Sequence, residues 1–127
     1  MNDEIFNRIQ AAIQETTGIA FAYLYGSFLE RDSNRDIDVG IWLGESSCKD
    51  CGDLLNHLHS RLDDLNVPVD LRILNDAPVT FLFHVLKGRL IEVRDEEVHD
   101  RVFEETLRTY LDVEPLLRRA TVEAFGE

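Results

Sequence analysis

The sequence predicts a small α+β (α/β-like) domain: a mixed β-sheet with helices packed on one side of it and a helical C-terminal tail. Three observations carry this. Ile5, Ile9 and Ile13 recur every four residues, the period of one helix face. Between Asp36 and Leu43 the pattern alternates instead. Ile37, Val39, Ile41 and Leu43 fall on one face, and Asp36, Asp38, Gly40 and Trp42 on the other, as in a strand. Further segments of both kinds follow one another along 127 residues, the length of one layered domain.

Taken in order, the first helix runs from Asn2 to Thr17, capped by Asn2 or Asp3 and ended by Gly18. Ile19 to Tyr25 is apolar throughout and reads as a buried strand that Gly26 stops. Phe28 to Arg35 is a polar turn, and Asp36 to Leu43 is the alternating strand. Gly44 to Cys51 is a polar loop. Leu54, Leu55, Leu58, Leu62 and Leu65 mark a second helix over Gly52 to Asn66, which Pro68 keeps from continuing. Val69 to Leu74 is a third strand, with Asp70 and Arg72 on its polar face. Asp76 is the expected cap and Pro78 the first turn of an apolar helix, Val79 to Lys87, that Gly88 ends. Arg89 to Arg94 is a fourth strand. Asp95–Leu111 and Glu114–Phe125 read as two helices interrupted near Pro115. The expected organisation is a single domain over residues 1–127, with a core over 1–95 and C-terminal helices over 96–127 that pack on it or bind a partner.

Composition narrows the function. Asp plus Glu is 25 against 13 Lys plus Arg, a net charge of −12, which argues against direct DNA binding through a basic face. It leaves room for a carboxylate metal site or a basic protein partner. No apolar stretch is long enough to span a membrane, no secretory signal is visible, and two cysteines make no disulfide framework. The chain reads as cytoplasmic.

The chemistry concentrates between Tyr25 and Val39. Asp36 and Asp38 lie two apart on a strand, so their carboxylates leave the same face. Carboxylates held that close repel unless a cation or proton lies between them. Mg²⁺ prefers oxygen ligands and binds through one or two carboxylates plus substrate phosphates. Gly26 lets backbone approach a phosphate, and Ser27 offers it a hydroxyl and an N–H. Arg31 and Arg35 are near enough in sequence to meet phosphate charge. If the third strand neighbours the second, Asp70 points toward Asp36 and Asp38. Three convergent carboxylates match a two-metal phosphoryl-transfer centre, with Asp70 holding a metal or accepting the hydroxyl proton.

This Gly-Ser, arginine-bearing loop, Asp-Ile-Asp-Val and later strand Asp together resemble the minimal nucleotidyltransferases of the polymerase-beta-like superfamily. The length, the segment Leu86 to Asp95 and the helical tail are similar to the MNT-type antitoxins, partners of HEPN-type RNase toxins. The resemblance implies a nucleotidyltransferase fold and a protein adenylyltransferase, which moves AMP from ATP to a tyrosine of the toxin within a heteromeric complex. It implies two Mg²⁺ ions on Asp36, Asp38 and Asp70, and triphosphate held by Gly26 and Ser27. Eight residues lie between Ser27 and Asp36, fewer than the family usually places there. Arg31 is followed by Asp32 where a glycine is common, and Arg35 stands where serine is common.

Two other functions stay open: a small-molecule nucleotidyltransferase of the aminoglycoside-modifying kind, and an antitoxin that acts by steric binding alone. A zinc site from Cys48, Cys51, His57 and His59 is disfavoured, because His57 and His59 do not share a helix face. His84 is expected in the core or at an interface, and His99 on the surface.

Overall fold

The computed structural model describes residues 3–26, 36–44, 51–65 and 67–124, with side chains as far as residue 112. In chain order the elements are α1 (Asp3–Gln14), β1 (Ile19–Tyr25), β2 (Ile37–Leu43), α2 (Cys51–Leu62), β3 (Val69–Ile73), α3 (Val79–Leu86), β4 (Arg89–Val93) and α4 (Glu96–Ala124). The strands form one mixed sheet in the order β3-β2-β1-β4. β1 runs antiparallel to both β2 and β4, and β2 runs parallel to β3.

Helices cover both faces of this sheet, not one. Phe6, Ile9 and Ile13 of α1 and Leu58 and Leu62 of α2 pack with Ile37, Val39, Ile41 and Leu43. On the opposite face, Val85 of α3 and Val102 of α4 pack with Phe21, Tyr23 and Tyr25. That is why every residue of β1 is buried. A strand covered on both sides gains from apolar side chains in both directions, so it loses the alternation that β2 keeps.

Gly40 belongs to the α3 face. A Cβ there would press on both Leu74 methyls at 3.0 Å and on Val85 at 3.1 Å, so its bareness lets these residues nest on the sheet. Beyond β3, Asn75 continues the pairing to β2 with its side chain. Its Oδ1 accepts from the Leu43 N–H at 2.8 Å, and its Nδ2 donates to the Leu43 carbonyl at 2.9 Å.

Helix ends depart from the sequence expectation in instructive ways. α1 stops at Gln14, the chain turning at Gly18 with φ 92°. Arg94 Nη1 donates to the carbonyls of Ile13, Gln14 and Thr16 at 3.2, 2.7 and 3.0 Å, satisfying groups that a helix end leaves free. Pro78, not Asp76, is the N-cap of α3, and no side chain caps it. Asp95 does cap α4, its Oδ1 accepting from the Val98 N–H at 3.2 Å. The tail is one helix through position 115 rather than two. A proline removes one N–H from the ladder, and helical bonds on either side carry the segment across that single loss.

Candidate active site

The end of β1 and the starts of β2 and β3 meet at one corner of the sheet. Tyr25, the last residue of β1, is opposite Asp38 in the antiparallel pair. Asp38 is in turn opposite Asp70 in the parallel pair. Registered partners in a sheet project to the same face, so Asp38 and Asp70 stand side by side. Asp36, two residues before Asp38, has the same parity and is exposed at the sheet's edge.

Gly26 closes the corner. Its φ is +89°, a backbone region that residues with a Cβ rarely adopt. A Cβ at this position would also overlap Asp38 Oδ2. Both requirements select glycine and bring bare backbone against the carboxylate.

The electrostatics confirm that the acidic groups sense one another. Burial raises the Asp38 carboxyl above its ordinary range, and the charges of Asp70 and Asp36 push it further. Arg72 and His84 pull it partly back. The Tyr25 hydroxyl is pushed up to about 12 by burial, with Asp38 and Asp70 adding to the rise.

Arg72 and His84 were not among the expected site residues. Arg72 follows Asp70 by two on the same strand, and its Nε sits 3.4 Å from Asp70 Oδ2. Its guanidinium lies 5.6 Å from the centre of the Phe81 ring. The spacing alone could have found it. His84 comes from α3, with its ring 5.9 Å from that of Tyr25. Only the packing of α3 on β1 brings it here. His84 is exposed, which rules out the core position expected for it and leaves the interface position as the expectation. His99 is the inward one: its Nε2 lies 2.7 Å from the Tyr23 hydroxyl and its ring packs edge-on against Phe21.

Ser27, Arg31, Arg35 and Cys48 lie outside the described residues, as does the Cys51 side chain. Among the described residues, no three His, Cys, Asp or Glu side chains stand ready around one metal position. Asp70 leans on Arg72 instead. The donor chemistry of Asp36, Asp38 and Asp70 still suits a hard divalent cation: every donor is an oxygen, and the charge is crowded enough to disturb Asp38.

Residues 7–97 match the family model for polymerase beta nucleotidyltransferases. The chain belongs to that family, and the matched span contains Gly26, Asp36, Asp38 and Asp70. Similar solved structures include a chain of the toxin–antitoxin complex MntA–HepT, at 19% identity and a TM-score of 0.66, covering 99% of this chain and 100% of that one. A toxin–antitoxin structure with AMP-PNP is 20% identical at a TM-score of 0.67, covering 96% and 98% of the two chains. A third, tri-AMPylated Shewanella oneidensis HEPN toxin in complex with MNT antitoxin, is 19% identical at a TM-score of 0.64, with both chains covered in full. These likenesses show the fold. No curated protein sequence matches the chain. No helix among the described residues is long and apolar enough to cross a membrane.

Proposed function

We propose that this chain is the antitoxin of a toxin–antitoxin pair and that it silences a HEPN-type RNase toxin by transferring AMP from ATP to a tyrosine hydroxyl of that toxin. The observation that carries the reading is the placement of Asp38 opposite Asp70 with Gly26 bare against it. The solved relatives support the acceptor and the donor: one is a complex with a tri-AMPylated HEPN toxin, and another contains AMP-PNP. One further MntA–HepT structure carries two aspartate-to-glutamate exchanges two positions apart, the spacing of Asp36 and Asp38.

In this reading residues 1–95 are the catalytic core and 96–127 the helical tail, and the protein works in the cytoplasm, where ATP and toxin meet. Gly26 offers backbone to the triphosphate, with Ser27, Arg31 and Arg35 as further phosphate contacts. Asp36, Asp38 and Asp70 hold two Mg²⁺. When bound, the metal supplies charge neutralisation for the triphosphate and favours the ionised acceptor. The acceptor oxygen attacks the α-phosphorus, a new P–O bond forms, and the bond to pyrophosphate breaks. The hydroxyl proton passes to Asp70 in the case where that carboxylate, on the edge strand β3, acts as base rather than as metal ligand.

The test is incubation of the chain with α-labelled ATP, magnesium and the toxin. Label on a toxin tyrosine, lost on Asp38→Asn and Asp36→Asn, is the expected result. An unlabelled toxin would overturn the reading.

A further inference from the structure

α4 carries an apolar stripe along one flank of its exposed surface, beside an outward side that is charged through Glu97, Arg101, Glu104 and Arg108. Among the described side chains of α4, Val102 and Thr106 are buried, Val102 in the core. Leu111 follows Val102 by nine residues, two and a half turns at ~3.6 residues per turn, and so lies on the opposite side of the helix. It is 57% exposed. Phe103 and Leu107, each 39% exposed, precede it at four-residue intervals and complete one stripe. α4 meets the sheet through Val98, Val102 and His99, with Phe103 leaning on His99 from the flank and Leu107 and Leu111 beyond it.

The edge of the stripe says what kind of surface it fits. Glu96 and Asp100 interleave with it on the helical net, and Glu104 borders it, all exposed. Among the described side chains of α4, Arg108 borders the band and is paired with Glu104 at 2.8 Å. A second copy would bring the same acidic edge against itself, in a chain of net charge −12. A surface with apolar residues framed by Lys or Arg is complementary.

We infer that the Phe103–Leu107–Leu111 stripe of α4 docks a basic, amphipathic helical surface of the toxin. The inference rests on the antitoxin reading and adds where the toxin sits. An acceptor held by α4 is delivered at high local concentration to a site on the same side of the sheet, because α3 and the Asp38 face lie there too.

The experiment is calorimetric titration of the full chain with a purified HEPN-type toxin from the same genome, alongside AMP-transfer kinetics. Leu107→Glu with Leu111→Glu weakens binding by about tenfold or more and raises KM for toxin with little change in kcat. Glu104→Lys weakens binding less and flattens its salt dependence. Asp38→Asn binds toxin as the wild type does while losing transfer. Because these α4 side chains are exposed, the variants melt with the wild type. If the double leucine variant binds and is saturated like the wild type, which still labels the toxin, the docking site is wrong and the antitoxin reading stands. If the wild type neither binds nor labels the toxin, both fall. If the leucine changes only break up a dimer of this chain, the stripe belongs to a second copy and the inference is overturned.

Discussion

Asp38 and Asp70 face one another across the parallel pair β2–β3, although 32 positions separate them in the chain. Asp38 is the more enclosed of the two and its carboxyl is raised by burial, then by Asp70 and Asp36. An acid whose folded pKa is raised makes the ionised form costly to fold. The cost is absent below the ordinary value near 3.8, grows as pH rises through the folded value and is complete above it. Asp38→Asn therefore melts higher than the wild type at neutral pH without added metal, and the difference closes on acidification. Melting curves across pH check this. The same variant abolishes AMP transfer, so activity and stability move in opposite directions.

Asp70→Asn separates proton transfer from nucleotide binding. Loss of a general base costs roughly 10²–10⁴-fold in kcat. If the triphosphate lies at the Gly26 end as proposed and Asp70 acts as base rather than metal ligand, ATP affinity stays within a few-fold. Single-turnover rates with a titration of ATP distinguish this outcome from a general collapse of the site.

Gly26→Ala suffers twice, from a left-handed backbone and from overlap with Asp38 Oδ2. The backbone conformation alone costs about 1–2 kcal/mol. Lower melting and loss of transfer are expected together. Gly52→Ala is the contrast: nothing lies within 4 Å of its Cβ position, and it sits near the start of α2. Alanine there is neutral or stabilises by up to about 1 kcal/mol, with activity unchanged.

Arg72→Leu removes the cation lying against Asp70 and over Phe81. The freed carboxylate competes better for an added cation, so Mn²⁺ binding measured by calorimetry tightens several-fold. The Asp38 carboxyl rises further, since Arg72 holds it down. Unchanged Mn²⁺ affinity would show that the Asp70–Arg72 contact is incidental.

Arg94→Ala leaves three carbonyls at the end of α1 without their shared donor. Hydrogen bonds from a charged group are worth about 1.5–3 kcal/mol, and exposure of part of this contact keeps the loss near the lower figure. Denaturant unfolding should show that loss with AMP transfer intact, since Arg94 is far from the Asp38 corner in the strand register.

Much of this was legible in the sequence because the signals are local. The alternation of β2 set the faces of Ile37 and Asp38, and the apolar run of β1 marked a buried strand. Asp70 was legible as a strand residue on a polar face, but its place beside Asp38 depended on β3 pairing with β2, which no local pattern states. The second helical layer was missed although β1 carried its mark, an apolar residue at every position. The core position for His84 and the surface position for His99 fail for a related reason. His84 sits in an apolar helix but on its outer side, whereas His99 sits among charged residues and is drawn inward by Tyr23 and Phe21. The break expected near Pro115 failed because a single residue was given the authority of a whole turn.

The separation of Asp70 from Asp36 and Asp38 also sets a time at which the chain becomes competent. On the ribosome, the first two acidic side chains emerge well before the third, with all of α2 in between. A nascent or truncated chain ending before β3 carries the Gly26 turn and one acidic pair, yet lacks Asp70, the third carboxylate of the proposed site. On the proposed mechanism, the order of synthesis by itself holds back ATP turnover until β3 is made.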